Sequence, residues 1–236
     1  MLLTDVADLV LSRACIGCDR IGPVVCVDCW ERAADVRLHE VPGDRLPPVV
    51  IGTRYDGLGR DAVHALKERG VLAMAEAVGA WLAIAIAQIA PGNIPVSLVP
   101  IPAHPRSVVA RGVDTLDRIG RRATGLLRAS GHPVRLVPAL ERRVDRGRQV
   151  GMGARQRRVA VAGAMAARAT AAGQLEDCRL IVIDDVVTTG ATVGEAVRAL
   201  RSAGLEVVAV AAACGTPRSG QPGQPSLHAL HDRIDP

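Results

Sequence analysis

The chain has 236 residues and a formal net charge of +5, which is enough length for one large domain or for one domain with a small appendage. A chain of this length buries roughly 70–75% of its unfolded surface and needs no disulfides, and its 49% hydrophobic and 22% charged residues exclude general disorder. Aromatic residues make up only 1% of the chain, so stacking platforms for nucleic-acid bases are nearly absent.

Neither a membrane span nor a secretion signal is expected from the sequence. The longest apolar run, residues 77–87, is too short to cross a bilayer. The first residues include Asp5 and Asp8 but no basic residue before Arg13, which is unlike a signal peptide. We therefore expect a cytoplasmic protein.

Composition divides the chain into four parts. Residues 1–34 contain aliphatic residues at helical spacing over positions 2–12, followed by a cysteine-rich module. Residues 35–48 are rich in proline and glycine and are predicted to form a linker. Residues 49–215 are predicted as the main domain, and residues 216–236 as a disordered tail.

Strands and helices alternate along the predicted main domain. The predicted strands are residues 49–55, 96–101, 134–140, 159–164, 180–183 and 205–213. The predicted helices are residues 60–90, interrupted near Gly70, residues 116–127, and residues 193–200 with Gly204 as the C-terminal cap. This alternation predicts an α/β fold, with a parallel sheet flanked by helices and joined by right-handed crossovers.

A metal site is predicted in the N-terminal module. Cys15, Cys18, Cys26 and Cys29 follow the pattern C-x2-C-x7-C-x2-C. Two such pairs converge on one tetrahedral Zn²⁺ through four thiolates, which leaves no open coordination position. Because a reducing compartment disfavours disulfides, the pattern predicts a structural zinc site.

The most informative motif lies in residues 180–200. Four apolar residues predict a buried strand, and Asp184 and Asp185 follow at its carboxyl end, where open α/β sheets bind ligands. A turn of small residues at 188–192 then leads into a helix and offers backbone N–H groups, hydroxyls and the helix dipole to an anion. Carboxylates for hydroxyl groups beside amides for a phosphate predict a sugar-phosphate site.

This stretch resembles the 5-phosphoribosyl-1-pyrophosphate (PRPP) motif of type I phosphoribosyltransferases, and nearly the whole chain is similar to the ComF family. The shared features are Cys15 to Cys29, Tyr55, Gly57, Leu66-Lys67, Val99 to Pro102, Arg111-Gly112, Arg143, Gln149, Arg157, Val161 and Ile183 to Thr192. The sequence departs from the family at Val113, Asp114 and Thr115, where Phe-Asn-Gln is common, and at Ala160, where Asn is common.

The resemblance implies a type I phosphoribosyltransferase-like sheet with a small N-terminal zinc-binding module. It implies binding of PRPP with Mg²⁺ and transfer of the phosphoribosyl group to an unknown base or amine, with release of diphosphate. Asp184 and Asp185 would hold the ribose hydroxyls, and one of them would serve as a base. The 5-phosphate would be held by Val187, Thr188, Thr189, Gly190, Ala191 and Thr192.

Basic residues complete the predicted site. Arg106 and Arg111 follow the strand at 96–101, where the resembled fold places its pyrophosphate loop, and guanidinium groups suit phosphate oxygens. Lys67 either reaches the diphosphate or lies at the surface. Residues 141–158 carry seven arginines and predict a lid that excludes water, with a basic nucleic-acid surface as the alternative. The lid candidates are Arg143, Arg148, Gln149 and Arg157.

Two functions of different class stay open at this point. One is the phosphoribosyltransferase, which the family's link to competence connects with DNA uptake and nucleotide salvage. The other is a catalytically weak or inactive PRPP sensor that associates with single-stranded DNA or with competence-machinery proteins. The scarcity of aromatic residues weighs against tight single-strand binding.

Overall fold

A six-stranded sheet forms the centre of the computed structural model, which describes residues 14–39, 41, 46–90, 92–143, 163–175 and 177–216. Its strands are β1 (Ala34–Leu38), β2 (Val49–Arg54), β3 (Val96–Pro100), β4 (Val134–Leu136), β7 (Arg179–Val187) and β8 (Val207–Gly215). Their order across the sheet is β1-β2-β8-β7-β3-β4, and every neighbouring pair is parallel except β1 with β2. Two further strands, β5 (Leu140–Arg142) and β6 (Met165–Ala167), form a separate antiparallel pair.

Helices cover the sheet and connect its parallel strands. They are α1 (Val27–Ala33), α2 (Gly57–Lys67), α3 (Met74–Ala87), α4 (Pro105–Arg111), α5 (Thr115–Ala129), α6 (Ala171–Gln174) and α7 (Ala191–Arg201). Helix α3 packs on β2 and β8 and against α5, whereas α7 packs on β7, β8 and the β5–β6 pair. None of the helices in the described part of the chain has the length and apolar character needed to cross a bilayer.

The predicted α/β fold is confirmed, and its core is almost entirely aliphatic. Ile181, Val182 and Ile183 are fully buried, as parallel strands covered on both faces require. The predicted break near Gly70 is also confirmed, because Gly70 has a φ of +67° between α2 and α3. Gly204, with a φ of +78°, follows α7 as the predicted cap.

Three predictions for individual segments need correction. Residues 134–140 form β4 and β5 rather than one strand, because Pro138 lies between them and cannot donate to a strand ladder. The strand expected at 159–164 is found at Met165–Ala167, after a turn at residues 163–164, and residues 159–162 lie outside the described part. The stretch predicted as a linker, residues 35–48, begins within β1, a strand that the sequence analysis did not anticipate.

We expect Gly52→Ala to destabilise the fold strongly, because a Cβ atom at this position would overlap the backbone carbonyl oxygen of Trp81 in α3. Neither backbone can move without separating α3 from β2, so the loss of unfolding free energy should reach about 3 kcal/mol. Gly125→Ala is the matched control, since its Cβ would meet nothing within 4 Å on the exposed face of α5 and should stabilise by about 0.5–1 kcal/mol. Urea unfolding of both variants tests the contrast, and equal stability of the two would contradict this packing.

Candidate active site

Strand β7 carries the acid pair to the carboxyl edge of the sheet. The strand is longer than predicted and continues through Asp184 and Asp185 to Val187, with β3 on one side and β8 on the other. Ile101, just after β3, donates its backbone N–H to the Ile183 carbonyl at 3.2 Å, so the loop after β3 begins beside the acids. The order of the strands thus brings two predicted parts of the site to one edge.

Asp185 and Lys67 form an ion pair within this edge. The distance from Lys67 Nζ to Asp185 Oδ2 is 2.6 Å, and the side chains are 28% and 9% exposed. Burial opposes the charge on Lys67, but the Asp185 carboxylate outweighs burial and raises the pKa of Lys67. Lys67 is the last residue of α2, and its ammonium group contacts the acid pair; its predicted contact with a diphosphate stays a prediction.

Asp184 holds its proton more tightly than an ordinary aspartic acid does. Burial, followed by the negative charge of Asp185, raises the pKa of Asp184 to about 8. Lys67 opposes this shift, and Asp184 Oδ1 accepts a hydrogen bond from the Asp185 backbone N–H at 2.9 Å. Hydroxyl donors or positive charge placed beside such a carboxyl group would stabilise its ionised form.

Arg142 is a site residue that the sequence analysis did not select. Its Nε donates to the Pro102 carbonyl at 2.9 Å, and its guanidinium group lies close enough to Asp184 for the two charges to interact. Burial lowers the pKa of Arg142, and the charge of Asp184 opposes that change. One signal pointed to this residue: Arg142 lies two positions after the buried Leu140, and alternation along a strand places both on the same side.

The helix that follows the phosphate loop fixes the strand pair that bears Arg142. Glu195, a buried residue of α7, accepts the Met165 backbone N–H at 3.0 Å, and Arg198 donates to the Met165 carbonyl at 3.1 Å. Met165 is the cross-strand partner of Arg142. Neither Glu195 nor Arg198 was predicted, because their role depends on a contact that no local sequence pattern reveals.

The predicted phosphate loop has the backbone shape that an anion site needs. Gly190 adopts a φ of +77° and immediately precedes α7, a helix of 11 residues. Thr188 and Thr189 are exposed, Ala191 and Thr192 are partly buried, and Val187 is buried as the last residue of β7. The Val41 side chain, from the connection between β1 and β2, packs directly against Gly190 and excludes any larger residue there.

Arg111 and Asp114 clarify the segment after β3. Arg111 is the last residue of α4. Its Nε is buried and has no hydrogen-bond partner among the described residues, as expected for a donor that binds an anionic ligand. Asp114, one of the departures from the ComF pattern, caps α5: its Oδ1 accepts the backbone N–H groups of Leu116 and Asp117 at 3.0 and 3.2 Å. The Asp114 carboxylate therefore serves as the N-terminal cap of α5.

The remaining predicted residues are only partly described. The backbone of Arg106 lies in α4. Arg143 directly follows β5, is exposed, and donates its backbone N–H to the Ala164 carbonyl at 2.9 Å. Arg148, Gln149 and Arg157, together with most of the predicted lid, lie outside the described residues.

The four predicted cysteines converge on one point. Their sulfur atoms all lie within 4.8 Å of one another, an arrangement that can hold a metal ion. Burial opposes ionisation of Cys15, but hydrogen bonds from the backbone of Cys26 and Gly17 outweigh it and lower its pKa to about 6. Arg32 donates to Cys29 Sγ at 3.0 Å and supplies positive charge beside the thiolates. The donor set and its surroundings fit a tetrathiolate metal site.

The cysteine module is attached to the main domain through two indole rings. Trp30 and Trp81 stack with ring centroids 6.3 Å apart. Trp30 Nε1 donates to the Ala77 carbonyl at 3.2 Å, and Trp81 Nε1 donates to the Trp30 carbonyl at 3.4 Å. These contacts make the fold of the module and the surface of α3 depend on each other.

Comparison with known proteins agrees with this geometry. Residues 134–225 match the family model of the phosphoribosyl transferase domain, and the matched range includes the acid pair, the phosphate loop and β4 to β8. No curated protein sequence gives a significant match to the chain. The matched domain supports a phosphoribosyltransferase-type function, with PRPP as a substrate together with an acceptor.

Proposed function

We propose that this protein is a phosphoribosyltransferase of the ComF type, which transfers the phosphoribosyl group of PRPP to a base or amine and releases diphosphate. The observation that carries the proposal is one cluster: Lys67 pairs with Asp185, the charge of Arg142 interacts with Asp184, and the left-handed Gly190 follows five residues after Asp185. A pentose with a phosphate on one side and a diphosphate on the other needs this order of acids, amides and cations.

Each part of the cluster has a role in the proposed transfer. The residues from Val187 to Thr192 hold the 5-phosphate through backbone N–H groups and hydroxyls. Asp184 accepts hydrogen bonds from the ribose hydroxyls, and Asp185 is oriented by Lys67. As the bond from C1 to the diphosphate oxygen breaks, Arg111 and Arg142 stabilise the negative charge that builds up on the leaving group.

Magnesium belongs to this proposal as part of the substrate. Mg²⁺ prefers oxygen ligands and commonly binds through substrate phosphates with few protein ligands. The carboxylates at this edge are a compatible set of oxygen atoms, and Mg²⁺ bound to PRPP would neutralise part of the diphosphate charge.

Calorimetric titration with PRPP and Mg²⁺ tests the proposed site. Wild-type protein should bind PRPP, and Asp184→Asn should weaken binding by about 10- to 100-fold because asparagine replaces a carboxyl oxygen that accepts a hydrogen bond from a ribose hydroxyl. Asp114→Asn is the matched control: asparagine caps a helix as well as aspartate does, so binding should stay unchanged. Failure of the wild-type protein to bind PRPP would remove the proposal.

A second assay separates an enzyme from a sensor. Diphosphate release is measured with PRPP and a panel of nucleobases and amines, and one acceptor should produce a rate that Asp184→Asn lowers by about 100-fold or more. Tight PRPP binding without diphosphate release in the presence of any acceptor would instead favour the PRPP-sensing protein. Titration with single-stranded DNA at several salt concentrations then tests the proposed association with competence, since phosphate contacts give a steep salt dependence.

We also expect the stability of the ligand-free protein to fall as pH rises from about 4 to about 8. The pKa of Asp184 is about 8 in the folded protein against an ordinary value of 3.8, so over this range the folded state keeps a proton that the unfolded chain has lost. The contribution of this proton to the free energy of unfolding is fully present below pH 4. It is lost as pH rises through 8, at up to about 1.4 kcal/mol per pH unit. Urea unfolding should show a flatter pH profile for Asp184→Asn than for the wild type, whereas parallel profiles for the two proteins would contradict the assignment.

We propose that the ion held by the four cysteines is Zn²⁺ in a structural role. Four thiolates form a closed tetrahedral set, and the site supplies no open position for a reacting group. Metal analysis of protein purified without added metal should find about one zinc per chain.

A further inference from the structure

An apolar groove lies between the cysteine module and α3. It has a volume of about 570 Å³ and is lined mainly by Val24, Val25, Val27, Trp30, Ala77 and Ala80. The ion pair between Arg122 and Glu76, with an N–O distance of 2.7 Å, lies at its edge. The groove is separate from the acid pair and plays no part in the proposed transfer.

Large aliphatic side chains beside this groove are exposed to solvent. Val27, which lines it, is 67% exposed, and Ile21, next to the lining residue Gly22, is 92% exposed. Exposed aliphatic groups around an apolar concave surface indicate a covered interface rather than a free one.

The same chain contains an aliphatic segment, residues 2–12, that precedes the described residues next to this groove. The described residues begin at Ala14, which forms an antiparallel bridge with Ile21. Because Ile21 directly precedes the lining residue Gly22, Ala14 lies beside the groove. At 100° per residue, Leu2, Leu3, Val6, Leu9 and Val10 fall within a sector about 120° wide, and Thr4, Asp8 and Ser12 fall on the opposite side.

We propose that residues 2–12 form an amphipathic helix whose aliphatic face covers this groove in the same chain. The attachment at Ala14 holds the segment close to the groove, so its effective concentration there is on the order of millimolar, well above that of a second copy in dilute solution. The covered groove would then stabilise the stacked pair Trp30 and Trp81, on which the position of the cysteine module depends.

Intrinsic fluorescence tests the proposal directly, because the chain has only two tryptophans, Trp30 lines the groove and Trp81 stacks on it. The proteins compared are the full chain, a chain that starts at Arg13, and full chains with Leu9→Asp or Asp8→Asn. Truncation and Leu9→Asp should shift the emission to longer wavelength, whereas Asp8→Asn, a change on the polar side of the helix, should leave it as in the wild type. The same emission from all four proteins would overturn the proposal.

A peptide of residues 1–13 provides the second measurement. It should bind the truncated chain and restore its emission, should not bind the full chain, and should bind at least about tenfold more weakly to a truncated chain carrying Ala80→Glu, because that carboxylate would be buried without a partner. Equal binding to the full chain, or no effect of Ala80→Glu, would overturn the proposal. So would sedimentation of the full chain as a dimer that the truncated chain does not form, since the groove would then be covered by a second copy.

Discussion

Replacing Lys67 with methionine should lower the free energy of unfolding by about 2–4 kcal/mol and reduce PRPP binding at least tenfold. The change leaves the nearly buried Asp185 carboxylate without its cation, whose Nζ lies 2.6 Å away in the wild type. It also removes a positive charge that opposes the raised pKa of Asp184, so that carboxyl group should take up a proton still more readily. Urea unfolding and calorimetric titration with PRPP measure the two effects.

Two further variants separate the effect on folding from the effect on the site. The double variant Lys67→Met with Asp185→Leu removes both charges and should recover most of the lost stability, because an apolar pair can replace a buried ion pair, but it should not recover PRPP binding. Arg121→Met is the control for losing an ion pair as such: Arg121 and Asp117 are largely exposed, and the cost should stay below about 1 kcal/mol. A double variant that binds PRPP normally would contradict the role given to this pair.

Substituting Cys29 with serine should release the metal and unfold the cysteine module. Metal binding to a four-cysteine site contributes on the order of 10 kcal/mol to folding of small zinc modules, more than the few side chains of this module can replace. Trp30 belongs to this module, donates a hydrogen bond to the Ala77 carbonyl and stacks on Trp81. Unfolding of the module should therefore expose both indole rings and lower the thermal midpoint of the main domain as well. Metal analysis and near-ultraviolet circular dichroism measure these changes.

Cys178 supplies the control for the metal site. It lies far along the chain from the four-cysteine cluster, beside Ser97 and the Leu175 carbonyl, and Cys178→Ser should leave the metal content unchanged. Treatment of the wild-type protein with a strong chelator should reproduce the Cys29→Ser spectrum. A metal-free protein with an unaltered tryptophan environment would show that the module folds without metal.

The fold and the candidate site differ in how far the sequence predicts them. Short buried strands such as Leu180 to Ile183, and the fixed order of acids, threonines and glycine after them, are local patterns, so the sheet and the glycine turn that leads into α7 could be predicted. The Lys67–Asp185 pair joins residues more than a hundred positions apart, and only the packing of α2 across the sheet edge reveals it. Arg142 was hidden for another reason: it is one of seven arginines in a basic stretch, and its two-residue spacing from Leu140 is a weak signal among them.

The contact between Val41 and Gly190 connects the segment that follows the cysteine module and β1 with the loop before α7. From Cys29 the chain runs through α1 and along β1, an edge strand held by β2, and reaches the glycine of the phosphate loop within a dozen residues. Loss of the ion from the thiolates would loosen the start of this path, and the loop would lose the side chain that supports its bend. If the proposed zinc and sugar-phosphate sites are correct, zinc occupancy should control the affinity for phosphorylated sugars, so that the supply of metal would set the fraction of this protein that can bind them.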